Sequence, residues 1–147
     1  MKPITYSLQF RGQALERDGR LVKQGRSPGC SLVTKLTQAG VEGRYLWALD
    51  DDEALFESLL AFTGHESFEE EATTLFARGH ALRARARGRI SASPDVHLRQ
   101  GAALWEVTGG EGQFERASGR IASQFFLSDT GDLTEHQLGV IFTRDRP

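Results

Sequence analysis

The chain has 147 residues, a formal charge of −2 and one cysteine. That length suits one domain, residues 1–147, able to bury most of its apolar surface. A pI of about 6.1 argues against a nucleic-acid partner, and no run approaches the ~18 apolar residues of a membrane span.

The opening segment, MKPITYSLQFRGQ, lacks the apolar stretch of a secretory leader. The lone Cys30 cannot form an internal disulfide. A reducing, cytoplasmic location is the expectation.

Residues 4–15 alternate. Ile4, Tyr6, Leu8, Phe10, Gly12 and Ala14 share one face; Thr5, Ser7, Gln9, Arg11 and Gln13 share the other. This is the period of a half-buried strand. Asp18-Gly19 makes a hairpin turn, residues 20–25 return as a short strand, and Ser27-Pro28-Gly29 breaks it. Cys30 to Leu36 forms a further strand, and Gly40 to Gly43 a turn zone. In Arg44 to Leu49, Tyr45 and Trp47 share a face.

The acidic run Asp50-Asp51-Asp52-Glu53 interrupts the pattern. Leu55, Phe56, Leu59 and Leu60 suit the face of a helix capped by that run. They suit a strand of a meander equally. The form of residues 50–66 stays open, a short helix or a distorted strand being the favoured forms.

Phe68, Glu70, Ala72, Thr74 and Phe76 alternate with Glu69, Glu71, Thr73 and Leu75. Residues 81–91 are a clear strand: Leu82, Ala84, Ala86, Gly88 and Ile90 on one face, Arg83, Arg85, Arg87 and Arg89 on the other. After a turn at Ser93-Pro94-Asp95, residues 102–108, 114–127 and 135–143 supply the last strands, with a turn at Thr130-Gly131-Asp132. About eight short strands joined by glycine-rich turns imply a closed barrel or a sandwich.

The residues Trp105, Val107, Thr108, Gly109, Gly110, Gly112, Phe114, Ala117, Gly119 and Ile121 spell W-x-V-T-G-G-x-G-x-F-x-x-A-x-G-x-I. This order resembles the strand–turn–strand of the allene oxide cyclase and dirigent superfamily. The resemblance covers roughly residues 86–143, the C-terminal two-fifths. It implies an all-β fold, an eight-stranded antiparallel β-barrel, and assembly as a homo-oligomer, a dimer or alternatively a trimer. Cyclases of this group hold an apolar, reactive substrate in the barrel and act by orienting it. Dirigent proteins steer the coupling of phenolic radicals. No catalytic residue carries over, because the matched segment is a structural turn.

An eight-stranded barrel has an interior just wide enough for side chains or one small ligand. Ala84 and Ala86 leave room on one wall, to be filled by core residues or by a ligand. Tyr6, Tyr45, Trp47 and Trp105 offer aromatic surface, and His136 a titratable group on the apolar face of Leu138, Val140 and Phe142. These residues are the candidate lining of a cavity for a small apolar or aromatic molecule. The expected function is a ligand-binding barrel, a cyclase or isomerase acting by orientation, or a non-catalytic barrel for ligand carriage or protein assembly. Whether it is an enzyme stays open.

The arginines of residues 83–89 read as a clamp for a carboxylate or phosphate, or as an outward face paired with Glu69 and Glu71. The outward face is favoured, since buried guanidiniums would each need an anion. No histidine pair has metal-ligand spacing and Cys30 stands alone, so no metal is expected. With no phosphate loop or dinucleotide fingerprint, no cofactor is expected either. The outward positions Ala122 and Phe126 suit a subunit interface.

Overall fold

The computed structural model describes residues 1–144. Eight strands follow one another in a ring: β1 (Lys2–Arg17), β2 (Arg20–Thr37), β3 (Gly40–Phe62), β4 (Ser67–Phe76), β5 (Ala81–Ala92), β6 (Leu98–Gly110), β7 (Ser118–Ser128) and β8 (Asp132–Thr143). Each pairs antiparallel with its neighbours, and β8 returns to β1 to close the barrel. Closure leaves no edge along the ring for another chain to extend. Among the described residues no helix is long and apolar enough to cross a membrane.

One segment left open takes one of its two forms, and one reading changes. Residues 53–62 are part of strand β3, not a helix. Ala54, Phe56, Ser58 and Leu60 are buried inside, while Leu55 and Leu59 stand on the outer wall. Those two outward leucines are what imitated a helical stripe. Ser27-Pro28-Gly29 does not break β2 either. Pro28 pairs with Glu53 and Gly29 with Ala48, so residues 49–52 of β3 have no partner in the ladder. An irregularity of this kind bends a strand without ending it.

The glycine-rich motif joins β6 to β7 through a single 3-10 turn, Gly112–Phe114. The turn drives Phe114 into the core, where its ring centroid lies 5.2 Å from that of Phe76. Gly112 has φ +63, and a Cβ there would collide with the carbonyl oxygen of Gly79 and lie 2.6 Å from His80 Nδ1. That imidazole nitrogen accepts the Gln113 backbone N–H at 3.0 Å.

Alternation on each strand sends one set of side chains into the barrel. Phe10, Phe56, Phe68, Trp105 and Phe125 are fully or almost fully buried there. The small residues facing them are what make room. A side chain at Gly88 would strike the Phe68 ring, at Gly101 the Phe125 ring, and at Gly139 the Tyr6 ring. Phe56 meets Trp105 edge-on at 6.1 Å. Trp105 Nε1 donates to Ser123 Oγ at 2.9 Å, so the indole N–H is not left unmet in the core.

At the centre is an ionic cluster. Lys23 of β2 is 0% exposed, and its ammonium donates to Glu135 Oε1 at 2.8 Å and to Glu70 Oε1 at 3.2 Å. Its third side faces the Phe125 ring, 3.5 Å from the centroid, a cation–π contact. Ser58 Oγ donates to Glu70 Oε2 at 2.5 Å, and Gln137 Nε2 to Glu135 Oε2 at 2.7 Å. Burial opposes the charge on Lys23, but Glu135 and Glu70 outweigh it and hold the ammonium above its ordinary range. Burial, with Lys23 opposing and Glu135 adding, pushes Glu70 up to about 7.

Two measurable consequences follow from this core. Gly112→Val forces a branched residue into positive φ against a backbone carbonyl. It should cost on the order of 2 kcal/mol and lower the melting temperature by several degrees; an unchanged midpoint would refute the turn geometry. The second concerns pH. A carboxyl whose folded pKa is raised contributes stability that is complete below its unfolded value, 4.5, and is lost as pH rises through about 7. Urea unfolding should therefore show the barrel losing of the order of 3 kcal/mol from this group between those limits. Glu70→Gln keeps the shape and removes the titration, so its stability should be flatter over the same window. A variant with the wild-type slope would show that Glu70 does not carry it.

Candidate functional site

The residues singled out from sequence fall into two places. Tyr6, Ala84, Ala86 and Trp105 point into the barrel, where aromatic rings take up the space beside the small residues. Tyr6 lies edge-on to Phe76 at 5.5 Å, and burial raises its phenol above the ordinary range. Tyr45, Trp47 and His136 are brought together outside the barrel. The structure thus does not join all of these residues in one cavity.

The reason His136 lies outside is the phase of β8. Glu135, Gln137 and Ile141 are buried within the barrel, whereas Leu138, Val140 and Phe142 are on the exposed face. His136 shares that outer face, as its alternation required, but the more apolar of the two faces is the outer one. Glu135 and Gln137 go inside because Lys23 is there to meet them.

Tyr45 and Trp47 reach the outer wall through the bend at Pro28–Gly29. Beyond it, the distal halves of β2 and β3 pair only with each other, from Gly29↔Ala48 to Thr37↔Gly40. They form a two-stranded arm. Cys30 pairs with Trp47 and Leu32 with Tyr45, so all four side chains share one face of the arm. That face turns toward β1 and β8. Cys30 Sγ donates to the Ser7 carbonyl at 3.5 Å. Tyr45 Oη lies 3.1 Å from His136 Nδ1, and their rings stack at 5.5 Å. Trp47 stacks on Tyr45 at 5.7 Å, and the Arg11 guanidinium lies 5.4 Å from the Trp47 ring centroid. Four planar groups therefore form a continuous row from His136 to Arg11.

Between this row and the outer wall of β5 to β8 is a groove of about 1160 Å³, open to solvent. Small-molecule sites usually span ~300–1000 Å³. Leu104, Ala122, Phe126 and Leu138 supply its apolar wall, and Arg87 and Arg89 its far rim. Gln9 is 9% exposed and lines the groove beside the arm; its Oε1 has no hydrogen-bond partner. An unmet buried amide oxygen costs roughly 1–3 kcal/mol. Burial lowers the His136 pKa; Glu135 opposes this and Arg11 adds to it. These effects favour the neutral imidazole, which is suited to the hydrogen bond with Tyr45.

The arginines of β5 face outward. Arg87 lies 3.8 Å from Glu69 and Arg89 3.2 Å from Glu66, and Arg85 stands opposite Glu71 in register. Among the described residues no group of three or more His, Cys, Asp or Glu side chains is placed to hold a metal ion.

Lys23, Glu70 and Glu135 were not among the sequence candidates. Glu70 was visible in the alternating run of β4, on the face of Phe68 and Ala72. A charged residue on the apolar face of a strand is the signal that would have found it. The triad has no exposed atom at its ion-pairing end, with both bridges between side chains 0% exposed. It is a structural element of the core.

No protein-family model matches the chain, and no curated protein matches it. Among solved structures it is similar to a pterocarpan synthase dirigent protein, 13% identical, with a TM-score of 0.52 over 99% of this chain and 88% of that one. The likeness runs the length of the chain and is not confined to the C-terminal two-fifths. At that identity the likeness shows the fold alone, an eight-stranded antiparallel β-barrel like that of the dirigent protein.

Proposed function

We propose that the chain is a small-molecule-binding barrel that holds an apolar or aromatic ligand in the groove between the arm and the outer wall. The observation that carries this reading is the stacked row of His136, Tyr45 and Trp47 along a groove with an apolar opposite wall. The row supplies rigid aromatic surface, which suits a planar apolar occupant. The similar solved structure is that of a dirigent protein named as a pterocarpan synthase, which supports a small-molecule role for a barrel of this shape. Any turnover of the ligand here would come chiefly from orientation along the aromatic row.

A second reading, assembly into a homo-oligomer, rests on β8. Leu138, Val140 and Phe142 are 53%, 39% and 40% exposed in consecutive outward positions. An apolar strip of this kind is suited to a second copy of the chain, as a dimer or a trimer.

The neutral probe N-phenyl-1-naphthylamine tests the groove. It should bind saturably with a rise in fluorescence, and Trp47→Ala or Tyr45→Ala should weaken binding about tenfold while the far-ultraviolet spectrum stays that of the parent. Unchanged affinity in both variants would remove the groove from consideration. For assembly, light scattering should give a multiple of the chain mass, and Val140→Lys with Phe142→Lys should reduce it to the monomer. A monomer mass for the parent over a hundredfold range of concentration would dismiss the second reading.

A further inference from the structure

We infer that the occupant of the groove is an organic anion, an acidic group on a planar apolar body. This rests on the groove being the ligand site. Arg11, Arg44, Arg87 and Arg89 line the groove, and no aspartate or glutamate does so among the described residues. That is a local reversal of sign in a chain whose net charge is −2. Arg87 and Arg89 have carboxylates nearby at 3.8 and 3.2 Å. Among the described residues, Arg11 and Arg44 have none within salt-bridge distance, and both are exposed.

Position strengthens the argument. Arg11 comes from the barrel and Arg44 from the arm, so cations flank the groove on both of its sides. The Arg11 guanidinium lies against Trp47, at the end of the aromatic row. A ligand whose ring contacts the apolar wall of Leu104, Phe126 and Leu138 can set its acidic group against Arg11 at the end of the aromatic row, with Arg44 adding positive potential from the arm. Guanidinium is suited to this, since its planar fork takes a carboxylate through two hydrogen bonds.

The comparison of 1-naphthoate with 1-naphthalenemethanol isolates the charge. They share the ring system, and one is an anion at pH 7. In isothermal titration of the full chain, naphthoate should bind at least tenfold more tightly at low salt. The gap should narrow as sodium chloride is raised to 0.5 M. Arg11→Gln and Arg44→Gln should each weaken naphthoate about fivefold and leave naphthalenemethanol within twofold. Equal affinity for the two probes overturns the anion, while the groove survives as a neutral site. Binding of neither probe, or naphthoate binding untouched by both arginine variants, overturns the inference too; the first of these also removes the groove. Loss of naphthoate binding as the chain self-associates assigns the groove to a second copy and overturns it likewise.

Discussion

The Lys23 ammonium, enclosed at the centre of the barrel, sets the terms for the rest of the molecule. Removing a charge from water costs several kcal/mol even after relaxation, and the cost is recovered only when every donor and acceptor is met. Here it is met. Glu135, Glu70 and the Phe125 ring surround the ammonium, while Ser58 and Gln137 complete the carboxylates. The contacts run from β2 to β4 and from β2 to β8, across residues 47 and 112 positions apart in the chain. They tie three strands of the ring together through its interior. Around them Phe10, Phe56, Trp105 and Phe125 close the lumen. These rings take up the lumen beside the small residues, and the groove with aromatic walls is on the outside.

Much of the barrel was legible because period-two alternation is local. The faces of β1, β4, β5 and β7 could be read directly, and the outward arginines of β5 followed from the cost of burying them. Alternation assigns residues to two faces, however, and does not say which face is inside. On most strands hydrophobicity decides. On β8 it misleads, since Leu138, Val140 and Phe142 look more like core than Glu135 and Gln137 do. The inversion depends on Lys23, which is more than a hundred residues away and cannot be seen from the strand itself. Likewise Leu55 and Leu59, exposed on the outer wall, imitated a helix.

The candidate site was legible in part for the same reason. That Tyr45 and Trp47 share a face is a local fact, and it holds. That His136 joins them is a tertiary fact, created by the bend at Pro28–Gly29. In sequence, Ser27-Pro28-Gly29 reads as an end, because proline and glycine usually terminate strands. The same residues also make a bulge, and only the pairing partners distinguish the two. Four unpaired residues on the opposite strand, 49–52, turn the hairpin back over β1 and β8. Three residues of the acidic run that looked like an interruption, Asp50 to Asp52, belong to that excess length, while Glu53 returns to the ladder opposite Pro28.

Core and groove are joined by strand β2. Its first part places Lys23 between the two glutamates, and its second part carries Cys30 and Leu32, whose partners are Trp47 and Tyr45. In a strand, a slip of one residue exchanges every inward side chain for an outward one. A slip of β2 would bring Val22 or Gln24 to face Glu70 and Glu135, leaving two carboxylates buried without a cation. It would also shift the arm by one position and turn Tyr45 and Trp47 away from His136. The ion cluster therefore acts at a distance from the groove. By making every other register of β2 expensive, it fixes where the aromatic row lands, although none of its members touches the surface that row helps to form.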